Sequence, residues 1–212
     1  MFWQLADGSE RPIRLYSSDY HQIPGAWSPD GATILFVDED GDGADIFALA
    51  VDEPDRKPVP LLTEDFREEY PALSPDGRWL AYASNESGGH EVYVRAYPSL
   101  ERKQQVSSDG GRMPAWSADG DELFYVAISP AQNGEDKMMS VPITGQPDLI
   151  PGTPRELFQG SFQVSWAIRT YDVAPDGRFL MVEQNQTSRT TDTVRIILNW
   201  FDELERLAPT ED

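Results

Sequence analysis

Apolar residues occupy both parities in four short runs, ATILFV at 32–37, RWLAYA at 78–83, DELFYVA at 121–127 and RFLMVEQ at 178–184. Side chains alternate between the two faces of a strand, so a strand that is apolar at every position is covered on both sides. After a polar turn each run is followed by a second one: DIFALAV at 45–51, EVYVRAY at 91–97, KMMSVPI at 137–143 and TVRIILNW at 193–200. A third, weaker run follows three of them, PVPLLT at 58–63, KQQVS at 103–107 and RELF at 155–158. The pattern predicts hairpins rather than helices. NWFDELERL is the exception, with Trp200, Phe201, Leu204 and Leu207 at helical spacing.

One phrase precedes every first run: SPDG at 28–31 and 74–77, SADG at 117–120 and APDG at 174–177. The aspartates are spaced by 46, 43 and 57 residues, which brackets the roughly 40–45 residues of a four-stranded propeller blade. Within the phrase, proline presets φ, aspartate accepts a hydrogen bond from nearby backbone and glycine takes positive φ. The four aspartates therefore read as turn residues between the innermost strand and its neighbour. Trp27 and Trp116, just before the turn serines, read as packing residues.

The expected fold is all-β: a β-propeller of four-stranded antiparallel blades, with three complete middle blades, partial terminal blades and a short C-terminal helix. The units run approximately over 1–23 (partial), 24–66, 70–110, 112–160 and 169–200, with a tail at 200–212, in one domain or domain fragment. MFWQL at 1–5 and PIRLY at 12–16, joined through Ala6, Asp7 and Gly8, read as the third and fourth strands of a blade. An unpaired strand at either end offers an edge through which chains can associate.

Charge then narrows the partners. The formal net charge is −20, which repels polyanions, so nucleic acid and anionic lipid are disfavoured. The absence of cysteine excludes disulfides, thiolate zinc sites and a cysteine nucleophile. No apolar run approaches the roughly 20 residues that span a bilayer, and the N-terminus lacks the pattern of a secretory signal.

Candidate chemistry is sparse. In VDEDGDGADIF at 37–47, Asp38, Asp40 and Asp42 match the first ligands of a calcium loop, and Asp45 lies near. Position 12 is Leu49 rather than a bidentate glutamate, so the segment reads first as a turn and at most as a weak calcium site. The two histidines, His21 and His90, stand in polar turn contexts, and neither a G-x-S-x-G elbow nor a phosphate-cradling glycine loop occurs. Carboxylate pairs such as Glu68 and Glu69 read as solvated in so acidic a chain.

The segment PALSPDGRWLAYASNESGGHEVYVRAY at 71–97 resembles the WD-repeat-like propeller repeats of the TolB-like family, and VRIILNWFDELERLAP at 194–209 resembles the C-terminus of propeller regions attached to some bacterial serine/threonine kinases. Departures are Ala174 for serine in the fourth phrase, Leu73 for tryptophan and the stretched third interval. The resemblance implies a non-catalytic interaction or sensor module for protein or peptide partners, without cofactor, in a periplasmic or extracytoplasmic setting. Two alternatives stand beside it: the propeller part of a prolyl-oligopeptidase-like peptidase, and a propeller enzyme acting at its central funnel. Aligned on the turn aspartates, Ile23, Glu69, Arg112 and Arg169 are equivalent and enter the innermost strands at the funnel mouth. Glu69, Arg112 and Arg169 are thus the expected partner-binding residues, with arginine suited to holding a carboxylate. The plainer expectation is an ion pair between Glu69 and Arg112 across adjacent blades.

Overall fold

A computed structural model describes residues 1–53, 56–131, 134–145, 148–165 and 168–182. The strand at 193–200 and the helix-like tail at 200–212 expected from sequence lie outside the described residues. Among the described residues, seventeen strands form five antiparallel sheets in chain order. The first pairs β1 (Phe2–Trp3) with β2 (Ile13–Arg14). The second is β3 (His21–Trp27), β4 (Thr33–Glu39), β5 (Ala44–Ala50) and β6 (Val59–Leu62). The third repeats it with β7 (Glu68–Leu73), β8 (Trp79–Ser84), β9 (Glu91–Ala96) and β10 (Gln104–Gln105). In the fourth, β11 (Arg112–Trp116), β12 (Glu122–Ala127) and β13 (Asp136–Thr144) are followed by β14 (Ile150–Pro151) and β15 (Arg155–Gly160), which both pair with β13. The extra β14 occupies part of the stretched third interval. β16 (Tyr171–Val173) and β17 (Phe179–Met181) form the last sheet.

The innermost strands meet side by side, β7 against β3 and β11, and β11 against β16. Successive sheets stack face to face, which explains the apolar residues at both parities. On β8, Leu80 and Tyr82 pack toward the preceding sheet with Leu35 and Ile46, while Trp79 and Ala81 pack toward the following one with Leu123 and Tyr125. β12 repeats the division, Leu123 and Tyr125 facing back and Phe124 and Val126 facing forward. Each fully buried large side chain contributes roughly 1.5–3 kcal/mol.

Turn chemistry sets the register. Ser74 Oγ accepts the Trp79 N–H at 3.0 Å and donates to Asp76 Oδ1 at 2.7 Å, and Asp76 accepts the Arg78 N–H. The same bonds hold Ser28 to Asp30 and Ser117 to Asp119. In all three turns the serine N–H bonds the carbonyl five residues on. In the fourth, Ala174 lacks the hydroxyl, and its N–H bonds Arg178, four residues on. The pairing slips by one residue: Leu73 faces Leu80 and Trp116 faces Leu123, but Val173 faces Phe179. A one-residue slip exchanges the two faces of a strand. Phe179 and Met181 accordingly pack on the preceding sheet, and Leu180 is 75% exposed, whereas its equivalents Leu80 and Leu123 are buried. The turns also stack on one another, because Gly77 and Gly120 leave room for Pro29 and Pro75 of the sheet before.

Trp116 packs as expected, partly buried with its indole N–H donating to the Ala72 carbonyl at 3.1 Å. Trp27 corrects the expectation, being 48% exposed. Trp116 rests on the innermost strand of the preceding sheet, and among the described residues no innermost strand stands on that side of β3.

Ser74→Ala should lower stability by about 1–2 kcal/mol, since a buried strand N–H loses its acceptor. Ala174→Ser should move the opposite way. Denaturant unfolding measures both, and equal midpoints for Ser74→Ala and the parent chain would remove the register role assigned to the hydroxyl.

Candidate functional site

At the end of the sheets opposite the serine turns, the innermost strands begin and a line of charged side chains crosses three of them. A bulge interrupts three of the innermost strands near their start, between Pro24 and Ala26, Glu69 and Ala72, and Arg112 and Ala115. Tyr70 and Met113 hold positive φ of 56° within these bulges, a conformation that costs a side-chain-bearing residue about 1–3 kcal/mol. The extra residue turns Tyr70 and Met113 into the core between the third and last sheets and leaves Glu69 and Arg112 at the rim.

Glu69 is fully buried. Its Oε1 accepts Nε and Nη2 of Arg67 at 3.0 and 2.9 Å, and the same Nη2 also bonds Glu39 at the end of β4. Its Oε2 lies 3.3 Å from Nε2 of His90. On the far side of the ring, Arg112 Nη2 stands 2.9 Å from His90 Nδ1. Arginine only donates, so Nδ1 is the acceptor and the imidazole proton sits on Nε2, which lies near Glu69 without forming a hydrogen bond of good geometry. Glu39, Arg67, Glu69, His90 and Arg112 thereby form one chain of contacts across the second, third and fourth sheets. Burial acts to raise the Glu69 carboxyl, but the bonds and charges of His90 and Arg67 outweigh it and hold the group below the usual carboxylate range.

Sequence placed Glu69 and Arg112 together, and the structure joins them through His90 rather than directly. It does not bring in Arg169, which bonds its own strand through the Tyr171 carbonyl at 3.1 Å and Asp172 at 3.4 Å. Arg169 instead lines a cavity of about 320 Å³ on the axis, with Pro24, Pro71 and Pro114 of three innermost strands and Tyr70 and Tyr171. Ile23 packs into the core. The mediating His90 was missed because it enters from the β8–β9 turn, and no spacing links it to residues 69 and 112.

The expectation that Glu68 and Glu69 are solvated is wrong. Glu68 is 1% exposed, and its Oε2 has no hydrogen-bond partner among the described residues. Burial, then the charges of Glu64 and Asp45, push its carboxyl up to about 8, against the pull of Arg95. It is therefore protonated at neutral pH. Two buried neighbours on one strand point to opposite sides, one ionised by arginine and one neutralised by its surroundings.

Two of the four aspartates read as calcium-loop candidates, Asp38 and Asp40, are engaged otherwise. Asp40 Oδ1 accepts the backbone N–H of Asp42 at 3.1 Å and of Gly43 at 2.6 Å. Asp38 accepts the Ser18 hydroxyl at 3.0 Å and faces Asp45 across the β4–β5 pairing. Among the described residues no group of three or more histidine or acidic side chains is disposed to hold a metal ion, and no helix is long and apolar enough to cross a membrane.

No family model and no curated protein matches the chain. Solved structures do. TolB from Acinetobacter baumannii superposes with a TM-score of 0.65 at 20% identity, over 86% of this chain and 42% of that one. A protein described as a TolB of Agrobacterium tumefaciens gives 0.64 at 18% identity, over 82% and 62%. A structure of two prolyl endopeptidases gives 0.53 at 17%, over 89% and 31%. The fold is therefore that of a TolB-like β-propeller, and the chain spans 42–62% of the length of the TolB structures it matches.

Two outcomes are expected for the buried acids. Glu68 takes up a proton on folding between its unfolded value of 4.5 and its folded value of about 8. Stability from this group is complete below the lower value and falls as pH rises through the upper one, by up to about 1.4 kcal/mol per pH unit. Glu68→Gln should flatten that fall in urea titrations, and an unchanged slope would show that Glu68 is not its source. Glu69→Ala removes the acceptor of two hydrogen bonds from the half-buried Arg67, which keeps Glu39, and should cost about 1–3 kcal/mol, read from the unfolding midpoint.

Proposed function

We propose that the protein is a non-catalytic propeller module that binds a protein or peptide partner at its axial mouth, with a partner carboxylate as the anchoring group. The observation that carries this reading is the axial cavity itself, where four innermost strands converge and Arg169 presents a guanidinium beside apolar proline walls. A concavity with proline walls and a placed guanidinium suits recognition of a peptide end. Arg112, two residues before Pro114 on β11, lies next to this cavity in the chain though outside its lining, with Nη2 on His90, and arginine can offer a carboxylate two parallel bonds. The rim carboxylates Glu39 and Glu69 support a binding rather than a reacting role, since both are committed to Arg67 as ties between sheets. The structural likeness to prolyl endopeptidases concerns the fold alone.

Short acidic peptides with a free C-terminal carboxylate are the test ligands, and the same peptides with an amidated C-terminus are the controls. Substituting Arg112 and Arg169 by alanine together should abolish capture of the free-acid peptides without loss of fold by circular dichroism. Arg169→Ala alone, at an exposed position, should weaken it about tenfold. Undiminished binding by the double variant, or equal binding of acid and amide, would reject the axial mouth as the site.

A further inference from the structure

A second cavity, of about 450 Å³, lies away from the axis in the seam between the third and fourth sheets. Its floor is made by Tyr125 of β12 and Met139 of β13, and Asp109 and Glu135 stand at its margin. Tyr125 is 3% exposed. It lines the cavity, yet its hydroxyl has no hydrogen-bond partner among the described residues. The ring is covered but the hydroxyl itself is not sealed off, so it is open to a donor that enters the cavity in place of water. Burial, with the charges of Glu91 and Asp109, pushes the phenol up to about 12, so it offers a neutral oxygen to a donor at any physiological pH.

The margin fixes the sign of the ligand. Lys137, the cation lining the cavity, is matched by Glu156 at 2.8 Å. Asp109 and Glu135 make no ion pair or hydrogen bond among the described residues, so two carboxylates remain uncompensated over an apolar floor. A net charge of −20 further draws cationic chains toward the surface. Guanidinium is more weakly hydrated than ammonium and enters a partly apolar cleft at lower desolvation cost. We infer that this inter-sheet cleft binds an arginine side chain of a basic peptide segment, its methylenes on Met139 and its N–H groups shared between the Tyr125 hydroxyl and the carboxylates of Asp109 and Glu135.

This site is separate from the axial mouth and opposite to it in charge preference, so the two proposals fail independently. The probe is the capped tripeptide acetyl-Gly-Arg-Gly-amide, titrated by NMR at physiological ionic strength, with the citrulline peptide as its neutral isostere. The arginine peptide should saturate and perturb Tyr125 and Met139, and citrulline should bind at least about tenfold more weakly. Tyr125→Phe should weaken arginine binding about tenfold while leaving the melting temperature unchanged, because no internal hydrogen bond is lost. Asp109→Asn with Glu135→Gln should weaken it further, and the Arg112, Arg169 double variant should retain it. Absence of saturable binding, equal affinity for citrulline, or full binding by Tyr125→Phe would each overturn the assignment.

Discussion

Everything in this molecule depends on sheets being covered on both faces by other sheets. A lone four-stranded sheet apolar at every position would expose half of its hydrophobic surface whichever way it turned. Stacked around an axis, each sheet serves as the core of two neighbours: β8 gives Leu80 and Tyr82 to one seam and Trp79 and Ala81 to the next. Stability is then shared between seams, and a defect in one sheet is felt on both sides. The exposed Trp27 and Leu180 mark faces that no further sheet covers among the described residues.

Stacking brings strand ends as well as faces together, and the rim chemistry follows from that. Innermost strands approach so closely that Gly25 could not carry a side chain without striking Pro71. Charged groups at such a junction lose water and must find partners across the seam, as Glu39, Arg67, Glu69, His90 and Arg112 do. Glu68 lies one residue from Glu69 but faces acidic neighbours, and it resolves the same desolvation by keeping its proton. Regular alternation makes this split, because Glu68 and Glu69 pair in step with Ser84 and Ala83 before the bulge begins and so face opposite sides of the strand.

The repeat was legible because turn chemistry is local. Serine, aspartate and glycine at fixed offsets announce the junction of first and second strands, and the structure places them there. Ala174 was visible too, but its consequence was not, since a missing hydroxyl shows as a register slip only once Val173 is seen facing Phe179. The site was half legible. Aligning the repeats found Glu69, Arg112 and Arg169 as equivalent positions, whereas the link through His90 and the burial of Glu68 depend on which sheets adjoin. Composition misled there: a strongly acidic chain suggests solvated carboxylates, yet these two sit where the stacking leaves no solvent.

The same constraint decides where ligands can go. Within a sheet, both faces are filled and the backbone is paired, so no room remains for a binding site. Room opens where sheets diverge from one another, as along the axis beside Arg169 and in the outer seam above Tyr125. Residues lining those gaps come from different sheets and from loops that set no strand register. The loop residues among them can change without disturbing the hairpins, which leaves a scaffold fixed by serine turns and stacked apolar faces room to vary at its seams.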